Sequence, residues 1–442
     1  MFSGLRVLEL QQHLAGALCG RLFAGWGADV RTILPADPAF QPLSPEASLW
    51  ANAGKQATTD ALADACATAD LIIDAWAPGA LEAAGVDPTA LVGNGRRPVL
   101  CRITPFGQSG PWRDFAAEEI TLYALAGLMN STGDGHRAPL NARPPLASVS
   151  AGLYGFIASA MALHRRHRDG RGECIDLSIQ EAAMQNIEII LAEYAHHGRV
   201  ARRNGDRHAM VPWRTYPCRD GEATIIGGPI RNWRKIAPRF GEPALLEPPL
   251  STAAGRIEHR ERFESLIRPW LASQTREDLF HLGQANGLAW SYVATLPEVL
   301  RDAQHQARGY FQQHPDANGH TRILPGAPWR GQHLRWDAPP TQRTPTPPPA
   351  ATDAPATPPL AGCRILDFTH DWAGPHAARV LGDFGAEVRE TGSLPFGFQP
   401  APAREASAAF GYYLFHHPCE TLSARYARPW GGEGAEPDRC RP

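Results

Sequence analysis

Residues 4–31 read GLRVLELQQHLAGALCGRLFAGWGADVR. Arg6–Leu10 has the pattern of a buried strand. Leu14, Leu18, Leu22 and Trp26 fall on one stripe of a helix that Gly27 closes, and Val30–Leu34 opens a second strand. Further strands are predicted over Leu71–Asp74 and Pro98–Thr104, with a helix over Ala61–Ala67 before the first of them. Strand–helix–strand units of this length build a parallel sheet wrapped by helices, so the fold class is α/β.

From Pro144 to Leu163 the chain carries no charged residue, long enough to cross a bilayer. Its Pro-Pro start, its serines and its helical spacing make it a buried core helix instead, running over Ala151–His167 and stopping at Asp169-Gly170. Extended structure resumes at Glu173–Leu177, and a long helix is expected over Ile179–Tyr194. After Tyr216 the texture changes. Arg219-Asp220-Gly221-Glu222 reads as a hairpin turn, helices are predicted over Arg256–Ala272, Thr275–Leu282 and Leu296–Arg308, and Gly309–Trp329 reads as short strands. This is a smaller α+β domain. Pro339–Pro359, dominated by Pro, Thr and Ala, reads as a solvated linker.

After that linker the opening pattern returns: residues 362–389 read GCRILDFTHDWAGPHAARVLGDFGAEVR and align with residues 4–31 without a gap. Gly4/Gly362, Leu8/Leu366, Ala15/Ala373, Gly16/Gly374, Gly27/Gly385 and Val30/Val388 are identical pairs, which indicates an internal duplication. The expected layout is therefore a large domain over 1–215, a small domain over 216–337, a linker over 338–360 and the start of a second copy over 361–442. That second copy is expected to be cut short, by frameshift or truncation near Phe410–Glu420.

Composition narrows the function. The 442 residues carry 43 basic and 45 acidic side chains, so no global field draws the protein to nucleic acid or to a membrane. The 8 cysteines form no CxxC pair, which points away from metal knuckles and disulfide scaffolds and towards a reducing, cytoplasmic setting. No Walker or GxGxxG loop is present, so nucleotide chemistry is not expected. In both copies a strand instead ends at a short polar segment followed by Ala-Gly and a helix. Small residues there let a ligand approach the backbone, and the helix start offers free N–H groups to an anion.

The segments around this motif resemble the family III CoA-transferases, the CaiB/BaiF group that includes formyl-CoA transferases, carnitine CoA-transferases and related acyl-CoA racemases. The resemblance rests on GLRVLEL…LAG…LFAGWGADV, on ADLIIDAWAPGALEAAGVD (Ala69–Asp87), on ITPFGQSGPW (Ile103–Trp112) and on EVLRDAQHQARGYF (Glu298–Phe311). It implies a Rossmann-like large domain, a smaller α+β domain and a chain closed into a ring interlocked with its partner. It also implies acyl-CoA and a carboxylic acid acceptor as substrates, with no bound cofactor or metal. The implied mechanism runs through an Asp carboxylate that attacks the thioester, becomes an anhydride and then carries CoA itself; only a carboxylate can do this.

The match breaks at the site. The family Asp falls on Ser148, in PLASVSAGLY (Pro145–Tyr154), and a serine ester cannot carry CoA. Asp169 and Asp176 lie beyond the helix and are not expected to replace it. The second base of the racemase branch falls on Asn130, which does not exchange protons near neutral pH. His13, Leu14, Ala15, Gly16, Ala75 and Trp76 are the expected CoA-binding residues, with Trp76 able to stack on adenine. Ala77 and Ala83 stand where the family often has arginines near the phosphates, and each missing cation removes a contact worth about 1.5–3 kcal/mol. Gly227 and Gly228 are either a remnant of the acyl-site loop or only a turn. The expected function is CoA transfer, impaired or absent in this chain, by a homodimer or a pair with an active homologue. The alternatives are a non-catalytic acyl-CoA-binding partner, or a Ser148-dependent acyl-CoA hydrolase with His13 as its base.

Overall fold

The chain begins with β1 (Arg6–Leu10), α1 (Leu14–Gly25) and β2 (Asp29–Ile33), followed by α2 (Pro45–Ala51), β3 (Gln56–Ala57), α3 (Leu62–Thr68) and β4 (Leu71–Asp74). Then come α4 (Ala80–Ala83), α5 (Pro88–Gly93), β5 (Val99–Thr104), α6 (Glu119–Leu125), α7 (Leu128–Ser131), α8 (Leu146–Asp169) and β6 (Glu173–Ser178). These strands form one parallel sheet in the order β3-β2-β1-β4-β5-β6. The computed structural model describes residues 1–35, 43–93, 97–207, 210–227, 230–316, 318–337, 349–350, 357–369 and 373–390. Gly228, Phe410–Glu420 and most of the Pro-rich segment lie outside them.

Helix α1 is buried on all sides from Ala15 to Gly25, not along one stripe. It lies between the sheet and α8. Gly152 and Gly155 of α8 make this approach possible: a Cβ at Gly152 would stand 2.9 Å from the Ala15 carbonyl oxygen, and one at Gly155 would stand 2.9 Å from Ile103 Cδ1. Helix α8 is long and apolar enough to cross a membrane. Here its residues, among them Ala147, Ala151, Phe156 and Ala162, pack into the main apolar core with Leu18, Phe23 and Ile103. Burial pushes the Cys101 thiol in this core up to about 12, so it is inert at neutral pH.

The chain continues through α9 (Ile179–Met184) and α10 (Glu188–His197), with a single 3-10 turn between them where one long helix is predicted. A hairpin of β7 (Trp213–Cys218) and β8 (Gly221–Ile226) turns at Arg219-Asp220. Then follow α11 (Ile230–Ile236), α12 (Ala253–Glu258), α13 (Arg260–Ser273), α14 (Arg276–Ala285), β9 (Ser291–Tyr292), α15 (Leu296–Arg301), α16 (Ala303–Ala307) and the hairpin β10 (Phe311–Pro315) and β11 (Thr321–Pro325). His259 interrupts the first predicted helix of this region. Asp302 interrupts the last, because its side chain caps α16 by accepting from Gln304 and His305 N–H. A separate core of Trp233, Phe240, Phe263, Ile267 and Trp290 holds β7 and β8 together with α11, α13 and α14. Residues 327–336 return to the main core, where Trp329 stacks on Trp26 at 4.9 Å.

The described residues divide into two compact units, one of residues 1–190 and 198–352, the other of 191–197 and those after 352. The second unit holds β12 (Arg364–Asp367), α17 (Ala373–Asp383) and β13 (Glu387–Glu390). Its parallel register, Arg364↔Glu387 and Ile365↔Val388, matches Arg6↔Asp29 and Val7↔Val30 position for position along the aligned sequences. The turn hydrogen bonds match as well: Phe2 N–H to Trp26 O and Asp29 N–H to Leu5 O in the first, Leu360 N–H to Phe384 O and Glu387 N–H to Cys363 O in the second.

Candidate functional site

Strand order reverses direction between β1 and β4, so the loops leaving their carboxyl ends meet at the switch point of the sheet, the place where open α/β sheets bind ligands. From β1 comes His13, which precedes α1 in an extended conformation. Its Nδ1 accepts from Gly16 N–H at 3.4 Å, and Nε2 lies 2.9 Å from the Ile103 carbonyl oxygen. An amide N–H only donates and a carbonyl only accepts, so the ring is fixed as the Nε2–H tautomer. Burial lowers its pKa and keeps it neutral. From β4 comes Ala75. A Cβ on Gly16 would stand 2.5 Å from Ala75 Cβ, so the two loops touch only because both residues are small.

Buried ion pairs brace both loops. Lys55 Nζ donates to Glu9 Oε2 at 2.6 Å and to the Ala17 carbonyl at 2.7 Å, beneath α1. Gln11 bridges Glu9 and Asn52, at 2.7 Å each. Burial lowers the Lys55 pKa, with the Glu9 carboxylate opposing that shift. Gly20 is required over this pair, because a Cβ there would overlap the Glu9 carboxylate. On the β4 side, Arg102 Nε donates to Asp74 at 3.0 Å, and its two terminal nitrogens fork onto Glu82 at 2.8 and 3.0 Å. One guanidinium thus holds both ends of the segment Ala75–Gly79. Burial pushes Asp74 up to about 6, against the pull of Arg102 and of the Trp76 N–H it accepts.

The loop Phe106-Gly107-Gln108-Ser109-Gly110-Pro111 leaves β5 and turns at Gly107 and Gly110, with φ of +89° and +91°. Asp176 on β6 anchors it by accepting Gln108 N–H on both oxygens, at 2.9 and 3.0 Å. Ser148 stands in the first turn of α8, one turn before Gly152, on the side that meets α1. Its hydroxyl donates to Glu119 Oε2 at 2.7 Å. The same carboxylate accepts Ser148 N–H at 3.1 Å and Ala147 N–H at 2.7 Å, so Glu119, the first residue of α6, caps α8 from outside.

A model of CoA-transferase family III matches residues 49–353 and 360–390. The chain belongs to CoA-transferase family III. The chain is 29% identical over 325 residues to a succinyl-CoA–D-citramalate CoA-transferase of Chloroflexus aurantiacus, covering 69% of this chain and 81% of that one. A probable CoA-transferase of Mycobacterium tuberculosis is 30% identical over 80% of this chain, which spans only 47% of that relative. A crystal structure of a CaiB/BaiF family protein from Brucella suis shares the fold, with a TM-score of 0.66 at 24% identity, over 79% of this chain and 96% of that one.

Of the positions that the family resemblance singles out, the fold brings together His13, Leu14, Ala15, Gly16 and Ala75. Trp76 follows Ala75, but its ring packs with Leu8, Leu10, Leu81 and Val86 in an apolar cluster and is 8% exposed, so it serves the core. Gly227 follows β8, where its N–H donates to Pro212 O at 2.8 Å. Asn130 donates to the Ala201 carbonyl at 3.1 Å. Asp169 ends α8, where it accepts Arg171 N–H at 3.0 Å, and Asp176 holds the FGxxGP loop. Neither faces Ser148. The group that does, Glu119, was not singled out by any spacing in the sequence; its only mark is the acidic pair Glu118-Glu119 that opens α6.

Proposed function

We propose that residues 1–337 form a family III CoA-transferase copy that takes acyl-CoA at the β1/β4 switch point and has lost the covalent step of CoA transfer to a carboxylic acid. The observation that carries this reading is the hydrogen bond from Ser148 to Glu119. The hydroxyl at the nucleophile position donates to a capping carboxylate, and acylation there would give an ester that cannot pass CoA on. Ser148-dependent hydrolysis is the weaker reading, because both nitrogens of its expected base, His13, are committed to Ile103 and Gly16. The repeat after residue 360 and the longer M. tuberculosis relative support a two-copy ancestry, in which a homologous copy or subunit supplies the Asp. Such a protein acts in the cytoplasm as a dimer of copies, within one chain or between chains.

The test is a transfer assay with an acyl-CoA and an acceptor acid, on the unmodified chain, Ser148→Asp and Ser148→Asp/Glu119→Gln. The double variant matters because two carboxylates this close do not both ionise readily. Activity appearing only in the variants supports the reading. Transfer by the unmodified chain at the variants' rate overturns it, and absence of heat on titrating CoA removes the CoA site altogether.

A further inference from the structure

The cations at the switch-point end of the sheet differ in what they are free to bind. Lys55 and Arg102 are buried and committed to Glu9, Asp74 and Glu82. Arg113, in the loop after β5, keeps 35% of its side chain exposed, and its ion-pair partner is its neighbour Asp114, 3.2 Å away and itself 71% exposed. A pair this exposed holds weakly and yields to a phosphate. The Arg113 guanidinium reaches across to the segment after β4: Nη2 lies 3.1 Å from where a Cβ on Gly79 would stand. Gly79 has φ of +82° and carries no side chain, so the guanidinium lies against the backbone at Gly79, the end of the segment Ala75–Gly79. Residues 75–87 carry no cation of their own, and positions 77 and 83 are alanines. CoA carries a diphosphate and a ribose phosphate, groups that a guanidinium holds with paired N–H···O bonds.

We propose that Arg113 is the phosphate-binding residue of this site, holding a phosphate of the CoA nucleotide beside Gly79 from a different loop than the one whose arginines are absent. This inference rests on the CoA site proposed above, and its consequence is that the lost cations do not abolish CoA recognition.

Calorimetric titration of the full chain with CoA, 3′-dephospho-CoA and pantetheine tests it, using the unmodified protein, Arg113→Gln and Arg113→Lys. Arg113→Gln is expected to weaken CoA about tenfold or more and to leave pantetheine unchanged, with Arg113→Lys between the two. Unmodified melting of both variants confirms that the fold is intact. Loss of dephospho-CoA affinity in step with CoA assigns the contact to the diphosphate; loss for CoA alone assigns it to the 3′-phosphate. CoA affinity of the unmodified chain should also fall with added salt while pantetheine affinity does not. If the unmodified chain binds CoA and Arg113→Gln binds it equally well, the assignment to Arg113 is overturned and the CoA site stands. If the unmodified chain does not bind CoA, the site itself is overturned, and the assignment with it.

Discussion

Arg21 and Arg379 occupy the same position in the two strand–helix–strand units, and their surroundings have little in common. Arg21 is fully buried in α1 and grips Asp337 with two nitrogens, at 2.6 and 2.9 Å, while its guanidinium lies 4.6 Å from the Trp336 ring. Arg379 is on α17 and pairs with Asp383, one turn along the same helix, at 2.8 Å and with both side chains exposed. The apolar positions diverge in the same way. Leu8 and Leu10 are 2% and 0% exposed, whereas Leu366 and Phe368 are 56% and 71% exposed. In the first unit β1 is paired on both sides, by β2 and β4; among the described residues β12 is paired by β13 alone. Helix packing diverges too, since Gly20 must be glycine above Glu9 while its counterpart is Ala378. Local sequence is thus enough to set the strand–helix–strand geometry and its register, and the surrounding sheet decides what that geometry buries.

Arg21→Ala is the largest expected blow to this contrast. It removes a buried cation and leaves the mostly enclosed Asp337 carboxylate with His314 alone, 3.5 Å away, at a cost of about 3–5 kcal/mol in denaturant unfolding. A loss below about 1 kcal/mol would mean that the two arginines are equivalent after all.

A smaller effect follows from Asp74 on β4, a strand whose position beside β12 is not filled among the described residues. Its folded pKa of about 6 lies above the ordinary 3.8, so between those values the folded chain holds a proton that the unfolded chain has released. Stability is therefore fully present below about pH 4 and declines as pH rises through about 6, by on the order of 2–3 kcal/mol in all. Subtracting unfolding curves for Asp74→Asn from those of the unmodified chain at stepped pH should isolate this slope. Equal pH dependence in both proteins would place the burden on another group. The smallest effect belongs to Arg379→Ala, which should cost only about 0.3–0.5 kcal/mol, the value of an exposed pair one turn apart. Hydrogen exchange confined to α17 would detect it, and a loss as large as that for Arg21 would mean that the second unit is more deeply packed than its exposure indicates.

Much of this arrangement is legible in the chain, for reasons that differ by element. β1, α1 and β2 are marked by local periodicity and by Gly27 at φ +92°, and the same signals recur around Gly385 at φ +97°. The FGxxGP loop is legible because its glycines are needed at left-handed φ. The Ser148–Glu119 contact is not, since it joins residues of different helices and neither helix encodes the other's position. Trp76 shows the converse limit. A motif places an aromatic beside the loop after β4, but the ring's direction depends on Leu81 and Val86, which follow that loop and share its apolar cluster. The interruptions at His259 and Asp302 escape a periodicity reading because apolar spacing persists across a single capping residue.

The matched hydrogen bonds of the two units also bear on the order in which the protein assembles. Pairing residue 6 with residue 29 closes a short loop, whereas completing the sheet at its far edge pairs residue 99 with residue 173. Since β12, α17 and β13 hold the same register beside no further described strand, the earlier unit has what it needs to form before β4, β5 and β6 arrive. On a ribosome releasing the chain from its N-terminus, β1–α1–β2 would emerge as the seed, and the longer closures would be made onto a template already in place.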